Sequence, residues 1–287
     1  MQIANDHLSV EIAARGAELL SVRTPDGAEW LWHGDPAFWG GRSPLLFPVV
    51  GKSPDNAVSI GGVTHPMAPH GFARTLDFVE EAAGPDWARL VLTESDVTRA
   101  SLPFAFQLTL TYRLDGPSIS CLASVANLDS VAMPFQFGFH PGFAWPLPGS
   151  AGKPHVVTLG HGGEPALYRL DADKLLIDAP LASPFKAGRL VPERAMFDDD
   201  AMLFPTGAGN GFSFAAEGGA KIDMKTANLP HFALWQKPGA PFLCLEPWRG
   251  TAPIAGTGNS LESRNGSVSL PPGEQMDFRM ELRFTRT

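Results

Sequence analysis

Apolar positions in this chain fall into short runs rich in β-branched and aromatic residues, divided by glycine and proline. The runs include "LSVEIA", "RLVLTES", "FQLTLTYRL", "SISCLASVAN", "FQFGFH", "KIDMKT", "HFALWQK", "FLCLEPW" and "MDFRMELRF". Their length and the turn residues between them predict β-strands. No helical period outlasts about two turns, and "SDVTRASLP", closed by Pro103, reads as a turn or a short helical piece. The pattern predicts an all-β fold: one large antiparallel sandwich domain over residues 1–287.

Two hairpins can be placed. Asp115, Gly116 and Pro117 carry turn chemistry between "TLTYRL" and "ISCLASVAN". The loop 238–241, "PGAP", joins "HFALWQK" to "FLCLEPW". Closing that loop at Lys237 and Phe242 sets Glu246 across from Ala233. It also puts Trp235 and Cys244 on the same face as Glu246. The apolar residues on both faces of 242–245 predict a central strand covered on both sides.

Composition narrows the function classes. A hydrophobic content of 44% with 18% charged residues fits a globular chain. The net charge of −8 argues against nonspecific binding to nucleic acid or an anionic membrane. The N-terminal "MQIANDHLSV" has no signal-peptide pattern, and no apolar run of about 18 residues is present. Cys121 and Cys244 lack zinc-site spacing and read as buried reduced thiols, so a cytoplasmic location is expected.

Three stretches set polar residues in apolar company. In "PFLCLEPWRG" a lone carboxylate, Glu246, precedes a proline that is expected to end the strand. Burial there would raise its pKa and suit a general base; pairing with Arg249 is the structural alternative. In "MPFQFGFHPGF", Phe135, Phe137 and Phe139 alternate with Gln136, Gly138 and His140. The second set reads as an amide, a gap and an imidazole in line, a surface for a sugar ring. In "PHGFAR", His70 and Arg74 flank Gly71 and Phe72, and upstream Arg42 and Lys52 flank an apolar run. A guanidinium can hold vicinal hydroxyls or a phosphate. There is no HExxH, GxSxG, Walker or GxGxxG motif.

In order, "SPLLFPVVGK", "HGFAR", "FGFHPGF" and "FLCLEPWRG" resemble the aldose 1-epimerase (galactose mutarotase) family. Within it they are most similar to the bacterial LacX-like and hexose-6-phosphate epimerase-like branch. The resemblance spans nearly the whole chain. It implies a β-super-sandwich with a groove on a concave face. It also implies interconversion of α and β anomers with no metal or organic cofactor. By resemblance Glu246 is the general base and His140 the general acid. His70, Arg74 and Asp200 bind the sugar, with Asp198 and Asp199 as neighbouring registers for the aspartate. Arg42 and Gln136 complete the candidate binding set. The implied partner is a small-molecule aldose or aldose phosphate, handled by a monomer or homodimer.

Overall fold

Alternation of buried and exposed residues along long strands makes one face of a sheet apolar and leaves the other to solvent. Phe106–Asp115 and Gln275–Thr285 show it clearly. In the computed structural model, which describes residues 1–286, these strands lie in a nine-stranded antiparallel sheet. Its order is Arg189–Leu190, His155–Leu159, Gly211–Ala216, Lys221–Ala227, Gln275–Thr285, Ser118–Asn127, Phe106–Asp115, Trp87–Thr93 and Val79–Ala83.

A six-stranded sheet packs against it. Its members are β1 (Leu45–Leu46), β2 (Phe137–Phe139), β3 (Gly142–Ala144), β4 (Met202–Phe204), β5 (His231–Trp235) and β6 (Phe242–Arg249). The order is β4-β5-β6-β2-β1, with β3 also paired to β6. Aromatic rings fill the space between the sheets. Phe137 stacks on Phe278 at 4.8 Å, and Phe47 meets Phe106 at 5.4 Å. The molecule is thus an all-β sandwich. Its one α-helix among the described residues is Asp96–Arg99, capped by the Ser95 side chain. Among the described residues no helix is long and apolar enough to cross a membrane.

The "PGAP" hairpin has the expected register, with Ala233 opposite Glu246 and Trp235 opposite Cys244. Parity then sorts β6. Leu243 and Leu245 enter the core between the sheets, while Phe242, Cys244, Glu246 and Trp248 occupy the other face.

Pro247 does not end the strand: β6 runs on to Arg249. The reason lies in the neighbour. On one side β5 pairs continuously with β6 from 244 to 248, but on the other side β3 pairs with 242–244 and β2 with 248–249. Leu245 N donates to Pro141 O, so odd-numbered residues turn their N–H toward that side. Both paired stretches keep one register, which sets Pro247 opposite Phe139, just past the last β2 pair, so its missing N–H removes a single ladder bond on that side.

Candidate active site

The break between β2 and β3 positions the imidazole. "MPFQFGFHPGF" runs through three short strands, Met133–Phe135, β2 and β3, and His140 sits between the last two. Its backbone N–H is held by Pro44 O. His140 Nε2 stands 3.2 Å from Glu246 Oε2, without the alignment of a hydrogen bond. Both side chains are buried. Trp39 stacks on the His140 ring at 4.9 Å, and Trp235 meets it edge-on at 5.7 Å.

These groups line a cavity of about 300 Å³ beside the six-stranded sheet. His70 and Arg74 enter it from a tight turn around Phe47. The carbonyl of Phe47 accepts the N–H groups of Phe72 and Ala73, while Phe47 N donates to His70 O. His70 N donates to Gly51 O, and Gly51 N donates to His70 Nδ1 at 3.2 Å. The ring proton of neutral His70 is therefore on Nε2. Arg74, in the 3₁₀ turn Ala73–Thr75, spends one N–H on Pro69 O at 2.7 Å.

Asp200 comes from the opposite wall with a φ of 70°, and it lines the cavity while Asp198 and Asp199 are exposed. Arg169 holds its backbone by donating to the carbonyls of Met196, Asp200 and Ala201. Asp200 Oδ1 accepts from Ala201 N, and Oδ2 accepts from Lys174 Nζ at 2.7 Å. Lys174 sits at the tip of a turn in which Asp171 Oδ1 accepts from Asp173 N and Leu175 N. Lys52 and Trp248 also line the cavity.

Glu246, His140, His70, Arg74 and Asp200 are thus brought together; Gln136 and Arg42 are not. Gln136 is fully buried, with Oε1 accepting from Val50 N and Nε2 donating to Thr251 O and Asn265 O, so no bond is left for a ligand. Arg42 turns away and donates to Leu20 O at 2.6 Å. Gly138 is no gap for a sugar, because the Trp248 indole fills it: a Cβ there would lie 2.6 Å from Trp248 Cδ1. Arg249 lines a separate cavity with His161, and among the described residues no ion pair joins it to Glu246. Sequence reasoning missed Trp39 and Lys174, both in polar, turn-rich loops that carry no strand signal.

Burial raises the Glu246 carboxyl well above its ordinary range; the Asp200 carboxylate adds to the rise, and the Trp248 indole opposes it. Burial likewise pushes His140 well below the ordinary imidazole value, with His70 and Arg74 adding to the fall. His70 is pushed down to about 3 by burial, then by Arg74. Both shifts in the Glu246–His140 pair favour the uncharged forms.

The family profile for aldose 1-epimerase matches residues 1–283. Protein LacX (plasmid) of Lactococcus lactis subsp. lactis is 25% identical over 283 residues, covering 95% of each chain. The solved structure of a galactose mutarotase related enzyme from Lactobacillus acidophilus superposes with a TM-score of 0.94 at 26% identity, over 100% of this chain and 97% of that one. A galactose mutarotase-like protein from Lactobacillus casei ATCC 334 gives 0.93 at 26% identity, over 99% of each.

Proposed function

The chain belongs to the aldose 1-epimerase family, and on that premise we propose that it interconverts the α and β anomers of an aldose by acid–base ring opening and closure. The observation that carries this reading is a buried carboxylate and a buried imidazole 3.2 Å apart in a cavity walled by tryptophans. Anomer exchange moves one proton off O1 and one onto the ring oxygen, with no net change. The task needs one titratable proton shared by the pair, and it sits on His140 when Glu246 receives the proton of O1. Glu246 takes the O1 proton while His140 gives a proton to the ring oxygen as the C1–O5 bond breaks. The open-chain aldehyde turns about C1–C2, and the steps reverse on its other face. Trp39, Trp235 and Trp248 offer apolar walls to the C–H faces of a sugar. His70 Nε2, Arg74 and Asp200 offer donors and an acceptor to its hydroxyls.

If Asp200 accepts a substrate hydroxyl, Asp200→Asn weakens a charge-assisted hydrogen bond. Such bonds contribute about 1.5–3 kcal/mol, so KM is expected to rise about 10- to 100-fold with a smaller change in kcat. Initial rates over a range of aldose concentrations check this. An unchanged KM would remove Asp200 from the binding set.

A second reading, a hexose 6-phosphate as substrate, is favoured by one specific observation: Lys52, Arg74 and Lys174 all line the cavity. Polarimetry of freshly dissolved α-glucose, α-galactose and their 6-phosphates tests both readings. The free aldoses are expected to equilibrate faster with protein than without it. Faster equilibration of the 6-phosphates alone, lost in Lys52→Ala or Lys174→Ala, would select the second reading. No acceleration of any sugar in a broad panel would overturn the function.

A further inference from the structure

Cys244 has no part in the proton transfers described above. It lies two residues before Glu246 on the same face of β6, fully buried and unpaired with any other cysteine. Donor atoms of His140, Cys244 and Glu246 all lie within 4.8 Å of one another, the one such grouping of three among the described residues. Two polar atoms of this group are buried and lack a hydrogen-bond partner, His140 Nδ1 and Glu246 Oε2.

We propose that His140, Cys244 and Glu246 form a latent binding site for a thiophilic divalent cation of the zinc class, and that filling it withdraws the acid–base pair from the sugar. The geometry is close to what such an ion needs. Zinc bonds of about 2.0–2.3 Å at tetrahedral angles put neighbouring ligands about 3.3–3.6 Å apart. His140 Nε2 and Glu246 Oε2 are already 3.2 Å apart, and side-chain movements of about 1 Å close the rest. The cavity leaves the fourth position to water.

Charge fits as well. A thiolate and a carboxylate cancel a divalent cation, so the filled site is neutral, which a buried setting favours. Sulfur and nitrogen donors select zinc, cobalt or nickel over magnesium and calcium. Binding makes three metal–ligand bonds. It releases to solvent the Cys244 thiol proton and the proton held by the Glu246–His140 pair.

Binding of the ion stands apart from the proposed activity; only the inhibition rests on it. Cobalt(II) is the probe. Added at one equivalent to the intact protein, it is expected to give tetrahedral d–d bands and a thiolate-to-cobalt charge-transfer band. Cys121, buried in the other sheet, is the control: Cys121→Ser keeps the charge-transfer band. Cys244→Ser and Cys244→Ala, checked for folding by circular dichroism, lose it and bind cobalt about 100-fold more weakly or worse. If the protein turns over an aldose, one equivalent of zinc suppresses the rate and a chelator restores it, while Cys244→Ser stays active at that zinc concentration. Absence of a thiolate band, or a band that survives in folded Cys244→Ser, overturns the site even if aldose turnover is found. A protein without mutarotase activity that still shows the band keeps the site and loses only its inhibitory consequence.

Discussion

Glu246→Gln is expected to lower the rate of anomer exchange by about 10²–10⁴-fold, the usual contribution of one proton-transfer group. Glutamine keeps the shape and hydrogen-bonding reach of the side chain and removes only its capacity to take a proton. The variant is also expected to stay folded, and the sign follows from the carboxyl pKa. Burial raises Glu246 well above the ordinary carboxyl range, so the native protein binds this proton more tightly than the unfolded chain does. The stabilisation from that proton is complete below the ordinary carboxyl pKa and is lost as pH rises through the folded value. A permanently neutral amide carries no such loss. Glu246→Gln is therefore expected to melt at or above the temperature of the parent at pH 7, measured side by side by thermal unfolding. His140→Asn is expected to lose a comparable share of the rate. Its pKa is shifted the other way, so His140 in the parent costs stability as pH falls below the ordinary imidazole range.

Gly71→Ala is expected to cost on the order of 4 kcal/mol of stability, in the class of exceptional single substitutions. Gly71 has a φ of 74°, and a Cβ built on it would lie 2.1 Å from the carbonyl oxygen of Phe47. That oxygen cannot retreat cheaply, because it accepts the N–H groups of Phe72 and Ala73. The same turn carries His70, itself at a φ of 63°, and Arg74 one 3₁₀ step later. The substitution thus damages the cavity wall as well as the core around Phe47, which packs on Phe72, Phe106 and Phe135. Denaturant unfolding at matched pH measures the loss. A change below about 1 kcal/mol would show that the turn relaxes far more easily than its packing indicates.

The residues of the site were unequally legible in the sequence. Glu246 could be placed to the residue, because the "PGAP" loop fixes the register of β5 on β6 and parity does the rest. The antiparallel class followed from the length and spacing of the runs. His140 was legible from the alternation, which holds: Phe135, Phe137 and Phe139 enter the core, while Gly138 and His140 face the side of Trp248 and Glu246. The break at residues 140–141 depends on how two separate strands share the edge of β6, which no local pattern records. Gln136 and Arg42 looked available because their hydrogen-bond partners, Val50 N–H, Thr251 O, Asn265 O and Leu20 O, come from distant or irregular segments. Lys174 was invisible for the same reason. It meets Asp200 across 26 residues of mostly irregular chain. The aspartate itself was one of three in a row until the turn at Asp200 singled it out.

The most direct measurement of the central claim is anomer exchange of an aldose already at equilibrium, followed by magnetisation transfer between its α and β C1–H signals. Exchange is expected to rise in proportion to added wild-type protein, and folded Glu246→Gln to add nothing measurable over buffer. Exchange no faster than buffer for every aldose and aldose phosphate tried, or an equal rise with Glu246→Gln, would contradict it.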